Sequence, residues 1–344
     1  MTMAKPAKDS NGSDKNNALR DAQIRHKVGI QRAGSQIVKD VIPILDQGDK
    51  DIVDLLNQRT PTLEGNFDSA RRVNLLKQVR QINNDSYQEF ADELSNQLDD
   101  LGDYEMDFQS NLYEDTEDDT ADIPDDYKQA IYATPFFGYL LKDALTYQKD
   151  QKYRLIQQTI QRGIAAGDSA DDIITELEGT ALANYRDGAF ATARRGVEGL
   201  VRTAVNHTAS IISSLFFGEN YDAWQWVATL DTDTCIECAD LDGEIYMNDE
   251  DAERPPLHLN CRCTPVPVDS ASAAGDTDGF SGWLGGQSAE VQDEALGPTR
   301  GKLFRDGGLT IDRFVDVRGN ELTLDQLRKR EASAFRLAGL DEGD

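Results

Sequence analysis

The sequence predicts a mainly α protein: an elongated helical body, a small β-containing Cys/His-rich unit, and a short helical C-terminal appendage. Three observations carry this. Apolar residues recur at steps of three and four over most of the chain up to Phe217. The period shortens to two at Tyr221, and all four cysteines fall within the 29 residues Cys235–Cys263.

Composition bounds the rest. The chain has 344 residues, 39% of them hydrophobic, with 35 Lys and Arg against 63 Asp and Glu, a formal charge of −28. That is apolar material for about two domains plus tails. No run approaches the ~18 apolar residues of a membrane span, and the polar stretch Met1–Asn17 lacks the apolar core of a secretory signal. The expectation is a protein made in a cytosol. Strong acidity argues against non-specific binding to nucleic acid or anionic membranes, since both are polyanions that gain from Lys and Arg.

Residues 1–17 are polar and contain Pro, Gly, Ser and Asn, which predicts a flexible tail. From Ala18 a helical body runs to 220. Its first helix carries Ile24, Val28, Ile37, Val41 and Leu45, with a kink at Pro43 and a stop at Gly48 and Asp49. Asp68–Leu101 reads as a long helix, because Val79, Ile82, Phe90, Leu94 and Leu98 share a face. The segment 99–126 holds 13 acidic and no basic residues and reads as a solvated connector. Asp125–Ala144 and Tyr147–Ala166 follow as helical segments, then a short helix behind Ser169. Thr180–Phe217 is the last long helix, closed by Gly218.

Residues 221–268 form the small β unit. Trp224 and Trp226 lie two apart on one face of a half-buried strand, as core anchors beneath the cysteine loops, and Glu244–Met247 and Thr264–Val268 are further strands. Residues 269–279 are a low-complexity linker, and 280–344 a helical appendage with helices over 280–305 and 323–340.

The cysteine window is the most informative stretch. Cys235 and Cys238 form a C-x-x-C pair; after 22 intervening residues Cys261 and Cys263 form C-x-C, with His258 three residues ahead of Cys261. Two close pairs on tight turns can surround a tetrahedral zinc, so Cys235, Cys238, His258, Cys261 and Cys263 are five candidates for four places. A thiolate-rich set that closes its shell predicts a structural zinc. The alternatives are four reduced thiols packed in a small β core, or a disulfide formed after cell lysis.

Catalytic readings are weaker. No H-x-E precedes the C-x-x-C pair as a zinc deaminase requires, and no α/β context supports a thioredoxin-type exchange site. A nucleophile pair of Cys235 with His258 or His207 lacks a third orienting residue. His207 reads as a satisfied core residue, and Arg194, Arg195 and Arg202 as ion-paired or solvated charges.

These residues also carry a resemblance. The helix with Val201-Arg202-Thr203 through Asn206, the string W-x-W-V-A-T-L-D-T-D-T-C-I-E-C-A-D-L-D-G-E-I-Y from Trp224, and Pro255-Pro256-x-His258-x-Asn260-Cys261-Arg262-Cys263 resemble the Mu protein F-like minor head proteins of tailed phages, the head morphogenesis family. The resemblance spans about residues 160–268. Leu259 stands where Pro is common in that pattern, and the spacer before Pro255 is long and acidic. It implies a minor component of the virion, in the capsid interior or at the portal vertex. The implied partners are the portal protein and the major capsid or scaffold proteins, and the implied roles lie in head assembly, genome packaging or ejection.

Two other functions compete. An enzyme, a nuclease or group-transfer effector using the Cys/His cluster, would need a spare acid-base constellation, and the segment 280–344 has neither His nor Cys. A zinc-dependent nucleic-acid binder would need basic side chains near the cluster, whereas 231–253 contains ten acidic and no basic residues.

Overall fold

The computed structural model describes residues 12–63, 69–113, 127–248, 252–268 and 279–340. In chain order the helical part comprises α1 (Gly12–Leu63), α2 (Ser69–Tyr113), α3 (Tyr127–Ala133), α4 (Leu141–Ala166), α5 (Ala170–Glu178) and α6 (Ala189–Asn220). The mainly helical class is as the apolar periodicity predicts. Helices α1, α2 and α6 pack along one another, and their shared stripe buries Val41, Phe90, Leu94, Leu98, Val197 and Val201. Each such side chain contributes roughly 1.5–3 kcal/mol on leaving water. A second core joins the far ends of α1 and α2 to α4 and α5 through Ile52, Leu56, Val79, Ile156, Ile160 and Leu177.

Several expected boundaries move. Helix α1 starts at Gly12, so residues 12–17 of the expected tail are helical, while 1–11 lie outside the described residues. It also runs unbroken through Pro43 and Gly48. Pro43 is on the exposed face, where the carbonyl it leaves without a partner can be hydrated, and the buried Val41, Ile42 and Leu45 hold the helix around it. Gly48 is a packing residue rather than a stop: a Cβ there would lie 2.0 Å from Ser86 Oγ on α2. Asp49 turns inward to Lys152 of α4 at 2.6 Å.

The acidic run begins inside α2 instead of in a connector. Glu105 and Gln109 are buried: Glu105 accepts from Ser213 Oγ at 3.0 Å, and Gln109 Nε2 donates to Glu105 at 2.6 Å. His26 of α1 sits 2.6 Å from the other Glu105 oxygen. This polar network extends α2 past Leu101; residues 114–126 of the expected connector lie outside the described residues. Helix α6 starts at Ala189, not Thr180, because Asp187 accepts from the Thr180 backbone N–H at 2.7 Å and hydroxyl at 2.8 Å, closing a loop.

After α6, strand β1 (Ala223–Val227) is followed by α7 (Ile236–Asp240), β2 (Ile245–Met247) and β3 (Thr264–Val268). The sheet is antiparallel in the order β2-β1-β3, with Trp224 opposite Tyr246 on one side and Pro267 on the other. Strand β1 is buried on both faces, not half-buried; its one polar residue, Gln225, donates to the Gly243 carbonyl at 3.0 Å. Trp224 and Trp226 are anchors of the core that also contains Cys238, Cys261 and Cys263.

The C-terminal part divides more finely than the two expected helices, into α8 (Gly279–Gly285), α9 (Ala289–Leu296), α10 (Pro298–Arg305), α11 (Leu324–Arg330) and α12 (Ala332–Leu337). Residues 269–278 lie outside the described residues. Its core, with Phe280, Leu284, Leu303, Phe314 and Phe335, takes in Ile236 and Ala239 of α7. Asp242 ties the two parts by accepting from Ala228 N–H and Phe280 N–H, both at 2.7 Å.

Candidate metal centre

Short local turns present the cysteines. Asp231 accepts from the Asp233 N–H at 3.0 Å, and the Thr234 hydroxyl donates to the Thr229 carbonyl, forming a turn that leads into Cys235. Cys235 is the N-cap of α7, its sulfur accepting from the Cys238 N–H at 3.3 Å, so both thiols of the C-x-x-C pair face the same side. The opposite side of this one-and-a-half-turn helix supplies Ile236 and Ala239 to the C-terminal core.

Helix α6 holds the second ligand segment. Asn206 Nδ2 donates to the carbonyls of Cys261 at 2.8 Å and Cys263 at 3.3 Å, and Thr203 Oγ1 accepts from the Asn260 N–H at 2.8 Å. Gly199 lets that loop lie against the helix, since a Cβ there would meet Leu259 at 3.1 Å. Asn260 takes a positive φ of 62°, a conformation Asn tolerates better than most residues. Arg262 makes a two-pronged ion pair with Asp231, locking the two cysteine turns together.

The structure brings all five sequence candidates together. Their donor atoms form two triads, Cys235, Cys238 and His258, and Cys238, Cys261 and Cys263, and within each the atoms lie within 4.8 Å of one another. Cys238 belongs to both. Cys235 Sγ and Cys238 Sγ each lie 3.2 Å from His258 Nε2, and Cys238 Sγ lies 3.8 Å from Cys261 Sγ. Tetrahedral zinc would place sulfur pairs roughly 3.8 Å apart and sulfur–nitrogen pairs roughly 3.5 Å apart. The other ring nitrogen, Nδ1, donates to the Leu259 carbonyl at 2.9 Å. That bond leaves Nε2 facing the thiols, the orientation of a metal-ligating imidazole. The donor set fits a metal such as zinc.

Electrostatics agree. Without a cation the cluster divides its protons unequally. Hydrogen bonding from Cys238, then from His258, lowers Cys235 to about 4, and hydrogen bonds from Cys238 and Cys263 lower Cys261 to about 2. Cys238 is driven far up, by its bonds to Cys235 and Cys261. His258 rises to about 9 through its bond to Cys235. A buried group of thiolates faced by one imidazolium and the Lys27 ammonium is what a divalent cation relieves. Cys238, Cys261 and Cys263 are nearly inaccessible, and Cys235 is half-buried.

The other two histidines are elsewhere. His207 donates Nε2–H to the Ile131 carbonyl at 3.0 Å and is held down to about 4 by burial, the satisfied core residue expected. His26 is stacked on Phe108 in the α1–α2 network. Of the arginines, Arg194 pairs with Asp46, Arg202 lies 3.5 Å from Glu198, and Arg195 donates to the Arg186 carbonyl at 3.0 Å.

Sequence reasoning missed the supporting residues. Asn206 lies in the R-T-to-N string but had no role, and nothing local to Lys27 on α1 signals that it ends beside Cys261 and Cys263, whose charges act on its ammonium.

No helix among the described residues is long and apolar enough to cross a membrane. No curated protein and no solved structure matches the chain. Residues 154–266, which run from the middle of α4 into β3 and include every candidate ligand, match the family model described as Phage Mu protein F like protein, so over that stretch the chain is similar to the Mu protein F-like proteins.

Proposed function

We propose that this protein is a minor structural component of a tailed-phage head, acting at or near the portal in head assembly, genome packaging or ejection. The carrying observation is that the family match and the metal-binding geometry coincide on the same residues, 154–266. The cluster's role in this reading is structural. A zinc held by Cys238 with three of Cys235, His258, Cys261 and Cys263 would staple α7 to the 258–263 loop, and α6 supports that loop through Asn206 and Thr203. Burial of the thiols suits a ligand role better than a nucleophile, which needs access. The portal protein is the partner proposed first, then the major capsid or scaffold proteins.

Quantitative mass spectrometry of purified virions, with co-purification of the tagged full chain and the portal protein of the same phage, tests this reading. A few copies per particle and retention on the portal are expected. Absence from virions would overturn it.

A further inference from the structure

Beside the metal centre, on the face of α6 turned toward α1, lies a cavity of about 410 Å³. Its polar lining comes from four separate parts of the chain: Lys27 and Gln31 on α1, Arg202 and Asn206 on α6, Asp233 in the turn before Cys235, and Cys261 and Arg262 in the cysteine loop. Ile30 and Val205 give it an apolar wall. A volume of this size is that of a small-ligand site.

Two buried groups in this wall have unmet hydrogen-bonding capacity. Lys27 is only 7% exposed, and among the described residues its ammonium makes no hydrogen bond or ion pair. Asn206 is 4% exposed; both its amide bonds go to the Cys261 and Cys263 carbonyls, which fixes the orientation of the group and leaves Oδ1 buried without a partner among the described residues. An ammonium at the edge of a cavity can take acceptor oxygens from a ligand, and a buried amide oxygen seeks a donor, at a cost when unmet. Among the described residues Arg202 is held only by Glu198, one turn away at 3.5 Å on an exposed face, so its guanidinium can turn to a ligand at little cost. The acidic residue in the wall, Asp233, faces Arg262, whose guanidinium is already engaged by Asp231.

We propose that this cavity binds a small phosphate-bearing molecule: a phosphate or phosphate monoester whose oxygens are taken by Lys27 and Arg202, and whose P–OH or neighbouring hydroxyl donates to Asn206 Oδ1. A tetrahedral oxyanion accepts from several directions at once, which suits donors converging from α1 and α6. Needing a donor as well as acceptors favours phosphate over sulfate, which carries no proton at neutral pH.

Isothermal titration calorimetry of the metal-loaded full chain with inorganic phosphate, and separately with sulfate, tests the assignment. Saturable phosphate binding is expected, weaker for sulfate, and reduced by at least ~10-fold in Lys27→Met and in Arg202→Gln. Metal content and melting temperature are recorded for each variant; Arg202→Gln, on an exposed face, keeps the test usable if Lys27→Met loses metal. No saturable phosphate binding, or binding unchanged in Arg202→Gln and in a folded Lys27→Met, would overturn the proposal. Loss of metal from Lys27→Met with phosphate binding absent from the wild type would instead assign Lys27 to balancing the thiolates alone.

Discussion

Asn206, on α6, donates its side-chain amide to the main-chain carbonyls of both Cys261 and Cys263, at 2.8 and 3.3 Å. One side chain thus sets the path of the C-R-C segment from a helix far away in sequence. Replacing it by Ala leaves two carbonyls unpaired in a buried place, at a cost of about 1–3 kcal/mol, and removes the restraint that orients the thiols. Asn206→Ala is expected to weaken metal retention by roughly 10–100-fold. Competition with a chromogenic chelator measures this, and far-UV circular dichroism should show the helices intact; unaltered retention would mean that the loop is positioned without Asn206.

Cys238 is the member common to both donor triads. Cys238→Ser is therefore expected to abolish metal binding, because it breaks both triads, while each other single replacement leaves Cys238 with three of the remaining candidates and one triad intact. Metal analysis of the purified variants, beside thermal melts with and without chelator, reads this directly. Wild-type protein should hold about one zinc per chain and lose melting temperature on chelation, because the binding free energy of a structural zinc is folding free energy.

Gly48 and Ser86 meet where α1 crosses α2. A methyl group at Gly48 would lie 2.0 Å from Ser86 Oγ and 2.8 Å from its Cβ. Gly48→Ala is expected to destabilise the protein by about 1–3 kcal/mol, although in an open helix the same change would stabilise by about 1 kcal/mol. Ser86→Gly in the same chain should restore most of the loss. Urea melts of the two single variants and the double variant test the contact, and an additive outcome would refute it.

His207 gives a pH dependence with a definite sign. Its folded pKa, about 4 against an ordinary 6.5, is lowered by burial, and its Nε2–H is bonded to Ile131. The neutral form is favoured in the folded state, so this contribution is complete above pH 6.5 and is lost as pH falls toward 4. The loss amounts to at most ~3 kcal/mol. His207→Gln, which can keep the bond to Ile131, should flatten the difference in stability between pH 7 and pH 4.5 relative to wild type. Equal acid sensitivity in the two proteins would remove His207 as the cause.

Lys152 and Asp49 form a buried pair, 2.6 Å apart, between α4 and α1. Burial raises the Asp49 carboxyl and Lys152 opposes that rise. Lys152→Met would leave the carboxyl unpaired, at an expected cost of about 3–5 kcal/mol, whereas the paired replacement with Asp49→Leu should recover much of it. Denaturant unfolding of the three variants measures the coupling.

Much of this molecule can be read along the chain. The steps of three and four that bury Phe90, Leu94 and Leu98 predict α2, and the Ser169 cap predicts α5. The period of two places Trp224 and Trp226 in the small sheet. The spacing of Cys235, Cys238, His258, Cys261 and Cys263 gathers the donors, and the ordered string around them is the one that the family model matches. All these are local signals, because the residues involved share a face, a turn or a short window.

Tertiary structure decided what depends on neighbours distant in sequence. Gly48 reads as a stop until Ser86 is seen to occupy the space of its Cβ, and the acidic run reads as a connector until Glu105 is seen bonded to Ser213 with His26 alongside. Neither Gly nor Glu announces a partner on another helix. The C-terminal helices share their core with Ile236 and Ala239, the reverse side of the helix that carries Cys238. Lys27 and Asn206 reach the cysteine loop only because α1 and α6 pack side by side. Residue spacing specifies which side chains share a surface; the packing of surfaces against one another specifies what each of them touches.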